Sequence, residues 1–159
     1  MAHLIIAVIA IALYAAMSVT SMNYIPAGTA YKKEVKAFVT SGAEALKGAA
    51  EEYYTNNAAL ADETSDLTPG YVLIPPAPNG LAWSVGSGAY DLTFNGTYAC
   101  LSGSITAPQF EGIQASLGYF SPQAYAISDV CGTQVASHDP GPYASTPSAL
   151  TIWLQLDGP

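Results

Sequence analysis

The sequence predicts an α+β fold in which a long N-terminal apolar helix continues as an amphipathic helix and precedes a small antiparallel β-sheet. Three observations lead to this prediction. Residues 4–25 are uncharged and mostly apolar, residues 30–57 repeat apolar side chains at three- and four-residue steps, and beyond residue 70 the apolar period changes to two. The predicted division is therefore an apolar segment at 1–28 and a globular domain at 29–159.

The apolar segment is long enough to cross a bilayer, because about 20 apolar residues suffice for a spanning helix. A secretory signal would begin with a charged region, which the opening "MAH" does not supply. The lysines that follow the segment favour a cytoplasmic domain, whereas a disulfide requires an exported one. A basic leader removed before Met1 would resolve the conflict, and Met1 is equally compatible with no processing.

Two residues predict that the helix breaks or bends between 23 and 28. Pro26 removes a backbone donor, and Gly28 lowers the cost of leaving the helical conformation. Helical periodicity then resumes over 30–57, and the helix is expected to end near Asn57. The predicted apolar face consists of Val35, Phe38, Val39, Gly42, Leu46, Ala49, Ala50 and Tyr53.

The second half of the chain predicts strands within 70–159. Asn95 and Gly96 suit a two-residue hairpin turn, because both tolerate positive φ. A short helix is expected at 107–118 and an extended segment at 121–128. The predicted strands are 71–75, 81–85, 89–94, 97–102 and 149–156.

The charge of the chain is low in amount and acidic in sign. Only 10% of the residues are charged, the formal net charge is -8, and there is no arginine. This content is well below the usual quarter and is typical of secreted or assembled proteins. We expect no nucleic-acid site, because a basic face is absent beyond one short cluster, which is expected to be solvated or paired with acidic neighbours. The basic residues are Lys32, Lys33, Lys36 and Lys47.

The sequence contains none of the catalytic or phosphate-binding motifs HExxH, GxSxG, P-loop or GxGxxG. His3 lies in the apolar segment, and His138 lies beside Asp139 in a Pro/Gly-rich loop. Two ligands in such a loop are weak grounds for a metal site. We therefore expect no enzyme activity, no cofactor and no metal.

Two further patterns each allow a structural explanation. Asp62, Glu63 and Asp66 are able to attract calcium, but a solvated acidic loop is the better interpretation. The "NGT" at Asn95 fits an N-glycosylation sequon, and the predicted hairpin turn explains the same residues. Cys100 and Cys131 fit no zinc or CxxC spacing; they form one disulfide if the domain is exported, or remain two buried thiols.

The order of these elements resembles the type IV pilins over the full length of the chain. An apolar N-terminal helix, an amphipathic continuation on a small antiparallel sheet and two cysteines in the second half all occur in that family. Met1 is similar to the start of type IVb pilins, whose mature chains often begin with methionine. The stretch "VLIPPAPNGLAW" is similar to a "LIPP…W" region in PilM-like proteins of thin conjugative pili.

The sequence departs from the pilin pattern at one position. Type IV pilins usually carry a glutamate as the fifth mature residue, where it pairs with a neighbour's N-terminal amine. This chain has Ile5 there, and the apolar segment contains no acidic side chain and one histidine, His3. The register of assembly therefore does not carry over. His3 is expected to cap the apolar segment, the alternative being that it donates a hydrogen bond to a neighbour's backbone.

The resemblance implies a structural subunit of an extracellular, type IV pilus-like helical homopolymer for surface attachment, motility or DNA or protein transfer. It implies a membrane anchor in the inner membrane before assembly, contact with the pilus assembly machinery, and a disulfide between Cys100 and Cys131. Alternatives are a single-pass membrane-anchored exported binding module, or a minor pilin or pseudopilin of a secretion system. The expected assembly core is Leu4, Ile5, Ile6, Val8, Ile9, Ile11, Leu13, Tyr14 and Met17.

Overall fold

The structure, a computed structural model, describes residues 27–135 and 146–157. Residues 31–159 form one compact unit, and of the preceding unit only residues 27–30, the start of a helix, are described. The α+β class and the antiparallel sheet are confirmed. The elements are α1 (Ala27–Asn57), α2 (Thr64–Leu67), β1 (Leu81–Ala89), β2 (Asn95–Gly103), α3 (Ala107–Leu117), β3 (Tyr125–Ser128) and β4 (Ala149–Leu156).

The predicted long apolar N-terminal helix is wrong as an element of this fold. Among residues 27–135 and 146–157, no helix is long and apolar enough to cross a membrane. Helix α1 has 31 residues, but charged side chains recur along it from Lys32 to Glu52, so it is amphipathic throughout. The apolar run 4–25 itself falls outside the described residues.

Helix α1 packs one face on the sheet, as its periodicity predicts. Val35 and Val39 are fully buried and Leu46 is nearly so, because they recur on one side of the helix at its period of 3.6 residues. The helix begins three residues before the predicted start, so Gly28 lies in its first turn. It ends at Asn57, whose side-chain amide donates a hydrogen bond to the Tyr53 carbonyl at 2.9 Å.

The four strands form one sheet in the order β1-β2-β4-β3, with every neighbouring pair antiparallel. Val85, Ala99 and Ile152 lie opposite one another in adjacent strands and belong to the core shared with α1. Strand β4 has the predicted bounds, because its alternating side chains leave only one arrangement with Leu150 and Ile152 facing the helix. Helix α1 and the inner face of the sheet therefore share one core.

The hairpin between β1 and β2 turns at 90–94, so the predicted turn at Asn95-Gly96 is wrong. The Asp91 carboxylate accepts hydrogen bonds from the backbone N–H groups of Thr93 at 2.6 Å and Phe94 at 2.8 Å. An aspartate that binds the amides ahead of it makes its own tight turn. Gly96 is already in β2, where an added Cβ would lie 2.7 Å from Leu156.

The strand predictions for 81–85 with 89–94 and for 71–75 differ from the structure. The first of these strands extends to 81–89 instead of ending at 85, and the residues that follow it, 90–94, form the turn instead of a strand. Residues 71–75 form no strand, because Pro75 lacks a backbone donor and the N–H groups of Tyr71 and Val72 bind the Leu67 carbonyl at the end of α2. This segment leaves Leu73 77% exposed.

Helix α3 matches its prediction to within one residue. It opens with a capping box in which Thr106 and Gln109 satisfy each other's backbone. It then crosses α1 closely at Gly112, where an added Cβ would lie 2.6 Å from Val35. The small residue at the crossing brings the two helices together and completes the core on this side.

Candidate functional site

Most of the predicted assembly residues lie outside the described residues. This holds for the assembly core from Leu4 to Met17, for Pro26, and for both histidines, His3 and His138, with Asp139. Gly28 is described and is helical. The candidate site therefore lies within the globular unit, residues 31–135 and 146–157.

The predicted cysteine pair is present at disulfide distance. Cys100 lies in the middle of β2 and is fully buried, whereas Cys131 lies on the exposed loop after β3, with 5.6 Å between the Cα atoms. Since Ala99 and Leu101 face α1, alternation directs Cys100 to the opposite face of the sheet. The Gly132 N–H donates to the Thr151 hydroxyl at 3.0 Å, so the loop is fastened across this outer face at two points.

Aromatic side chains fill the remainder of the outer face. The rings of Tyr98 and Trp153 meet edge to face at 5.3 Å, and Tyr90 contacts Trp153 at 5.5 Å. Tyr98 lies so close over Gly86 that an added Cβ would be 2.6 Å from its hydroxyl. The Tyr90 hydroxyl donates to the Gln123 carbonyl at 2.7 Å, which closes the cluster. Glycines in β1 thus make room for the protein's own rings.

A groove of about 290 Å³ opens between α1, the segment after α3 and the end of β4. Tyr119 donates a hydrogen bond to Glu44 at this groove, and that bond raises the pKa of Tyr119 above its ordinary value. The lining side chains are Ala43, Glu44, Lys47, Tyr119, Phe120, Ser121, Ala124, Ile152, Trp153 and Leu154. Apolar walls with a polar rim are suited to binding an apolar side chain or a small ligand.

The sequence alone does not predict this groove. The adjacent aromatic residues Tyr119 and Phe120, directly after the helix end at Gly118, were the available signal. Their proximity to Glu44, 75 residues earlier, depends on how α1 lies across the sheet.

The acidic residues at 62–66 form the capped start of helix α2. The Asp66 carboxylate accepts from the backbone N–H of Asp62 at 2.7 Å and of Glu63 at 3.1 Å. Within the part of the chain that the structure describes, no three His, Cys, Asp or Glu side chains group as a metal site. The Asp66 carboxylate, in the first turn of α2, therefore already serves as the acceptor that caps the start of this helix.

The possible sequon at Asn95 has a buried hydroxyl. Asn95 is exposed, but Thr97 is 1% exposed and its hydroxyl donates to the Ala61 carbonyl at 3.0 Å. The packing of Thr97, in β2, against the loop before α2 therefore explains the threonine of the "NGT" pattern.

Charged side chains concentrate on α1. Lys32 forms an ion pair with Glu111 of α3, and Lys47 approaches Glu51 at 3.7 Å. Lys33 and Lys36 are exposed and form no ion pair with any described residue. The chain thus presents an unpaired basic patch near the start of its longest described helix.

Comparison with models of known protein families, with characterised proteins and with solved structures finds no match to this chain.

Proposed function

We propose that this protein is a structural subunit of an extracellular helical filament and assembles through its apolar segment, residues 4–25. One observation carries the proposal. The compact unit begins at Tyr31 and has its own core, and the uncharged apolar run 4–25 precedes it in the sequence. A segment that is apolar throughout needs a membrane or other apolar segments around it. Copies of the same segment supply that environment in a polymer.

Two features of the globular unit support an exported, assembled protein. A disulfide-distance cysteine pair fastens a loop to the sheet, as expected outside the reducing cytosol. The low charge content lowers the desolvation cost of placing many copies side by side. In this proposal the apolar segment is held by the inner membrane until an assembly machinery transfers it into the filament. The domain then forms the outer wall and serves attachment, motility or transfer.

The second candidate is a membrane-anchored binding module that acts as a monomer. The groove beside Glu44 and Tyr119 favours it, because a concave apolar site with a polar rim is a feature of ligand-binding domains. A minor subunit or pseudopilin would share the features of the first candidate and differ in abundance.

Electron microscopy of the full chain during detergent removal tests the proposal. We expect filaments of uniform diameter from the wild-type protein and none from an Ala12→Asp variant. An unpaired carboxylate buried among apolar segments costs several kcal/mol per copy. The matched control is Ala12→Val, which keeps the segment apolar and is expected to polymerise.

The outcomes separate the two candidates. Filaments of unchanged diameter from Ala12→Asp would show that the apolar segment is not the assembly core. A wild-type protein that stays monomeric in detergent and enters vesicles as single copies would replace the filament with the anchored module.

A further inference from the structure

Helix α1 carries three lysines near its start, with Glu34 among them, and two adjacent glutamates near its end, while Glu44 and Lys47 lie between. Three of the four basic residues of the chain, Lys32, Lys33 and Lys36, lie near its start. Glu51 and Glu52 lie near its end, and the acidic loop with Asp62, Glu63 and Asp66 follows. After Lys47 the sequence contains no further lysine or arginine. The start of α1 is thus basic and the far end acidic.

This separation is not explained by the helix dipole. Acidic side chains stabilise the first turn of a helix and basic side chains the last. Helix α1 has no acidic residue in its first turn and no basic residue in its last. The end charges therefore do not stabilise the isolated helix.

The basic group is also left without partners inside the molecule. Lys32 is held by Glu111, but the exposed Lys33 and Lys36 pair with no carboxylate among the described residues. At the other end, Glu51 makes only a long, exposed contact with Lys47, and Glu52 is exposed with no ion pair to a described residue. The exposed lysines near the start of α1 and the exposed glutamates near its end are thus available to pair with charged groups of another molecule.

Lys33 and Glu51, one from each group, share a side of the helix. Glu51 follows Lys33 by 18 residues, which is five full turns, so both side chains lie on the same stripe about 27 Å apart along the axis.

We propose that the Lys33–Lys36 patch of one copy docks on the Glu51–Glu52 end of the next copy, displaced by about 27 Å along the α1 axis. The occupant is a second copy because the basic and acidic surfaces are complementary and belong to the same chain. A contact between different surfaces of identical copies does not close on itself and continues as a polymer. The inference rests on the proposed filament and gives it a direction and an axial step.

Two charge-reversed full-length chains test the contact. The first carries Lys33→Glu and Lys36→Glu, so that both ends are acidic; the second carries Glu51→Lys and Glu52→Lys, so that both ends are basic. We expect each chain alone to need about ten times the wild-type concentration, or more, to form filaments, because like charges then face each other. A 1:1 mixture is expected to form filaments at the wild-type concentration, since opposite ends alternate.

A matched control changes the net charge without touching α1. Asp129→Lys with Asp157→Lys alters the charge by the same amount as the second chain, at two exposed loop positions. We expect it to assemble as the wild type does. If this control assembles as poorly as the second chain, or if the mixture does not recover assembly, the directed contact is wrong and only net charge matters. Circular dichroism and the absence of titratable thiols verify that each variant is folded.

Three results keep this inference separate from the proposed function. Wild-type filaments with unchanged assembly of both reversed chains would overturn the contact and leave the filament standing. Carbodiimide cross-links between Lys33 or Lys36 and Glu51 or Glu52, found between isotope-labelled and unlabelled copies without filaments, would support the contact and overturn the filament. Normal assembly of the first chain together with loss of binding to phosphatidylglycerol vesicles would assign the lysines to a membrane surface and overturn the contact.

Discussion

Gly42 of helix α1 lies directly against the indole of Trp83 in β1, where an added Cβ would be 2.7 Å from the ring atom Cζ2. Trp83 is 6% exposed and belongs to the core. The helix therefore meets the sheet through bare backbone at this point, which sets how closely the two layers approach. A rigid buried ring has no free volume to move into when a methyl group is added.

We predict that Gly42→Ala destabilises the fold by about 1–2 kcal/mol, because overpacking against Trp83 outweighs the gain in helix propensity. The matched control is Gly48→Ala in the same helix, where an added Cβ meets nothing within 4 Å. The control is expected to stabilise by about 0.5–1 kcal/mol. Urea unfolding of both variants measures the difference, and equal shifts in the same direction would contradict the contact.

The hairpin turn is predicted to depend on Asp91 rather than on Asn95. Asp91→Ala removes an acceptor for two backbone N–H groups and should cost about 1 kcal/mol of unfolding free energy. Asp91→Asn keeps an acceptor oxygen and should retain most of the stability. Asn95→Thr, in a strand position, should change the stability by less than about 0.5 kcal/mol. A larger loss at Asn95 than at Asp91 would return the turn to the position expected from sequence.

Loss of the disulfide is predicted to cost about 2–4 kcal/mol, since the linked residues are 31 apart and the unfolded chain gains freedom. Cys131→Ser should be milder than Cys100→Ser, because residue 131 is exposed and a hydroxyl at 100 would be buried. Denaturant unfolding of both variants measures this order. Thiols that titrate in the unreduced, denatured wild type would contradict the bond.

Tyr119 is predicted to ionise above the ordinary tyrosine value of 10.0, because its hydrogen bond to Glu44 raises its pKa. A pKa raised in the folded state means that the contact stabilises fully below pH 10 and loses its effect as the pH rises through the folded-state value. Carbon-13 NMR of labelled tyrosine follows the titration, and Tyr119→Phe assigns the signal. In Glu44→Gln the pKa should move towards 10.0; an unchanged titration would mean that Glu44 is not the partner.

Local patterns in the sequence were sufficient for helix α1 and strand β4. The apolar spacing from Val35 to Tyr53 predicted α1, and the alternation from Leu150 to Leu156 predicted β4 with its observed bounds. Both succeed because a helix and a strand each repeat at a fixed period, and one buried face leaves a mark at that period. The cysteine pair was also predicted, from composition and resemblance, and only its geometry required the fold.

The tertiary structure decided what depends on residues far apart in the chain. The turn moved to Asp91 because the β1–β2 register places Gly96 opposite Gly88 and under Leu156, a constraint that the "NG" pair does not reveal. Residues 71–75 form no strand, because the N–H groups at their start bind the end of α2. The groove that joins Glu44 to Tyr119 exists only because α1 lies across the sheet. Composition and period are local properties of a sequence, whereas register, crossing and contact are fixed by the simultaneous packing of all elements around one core.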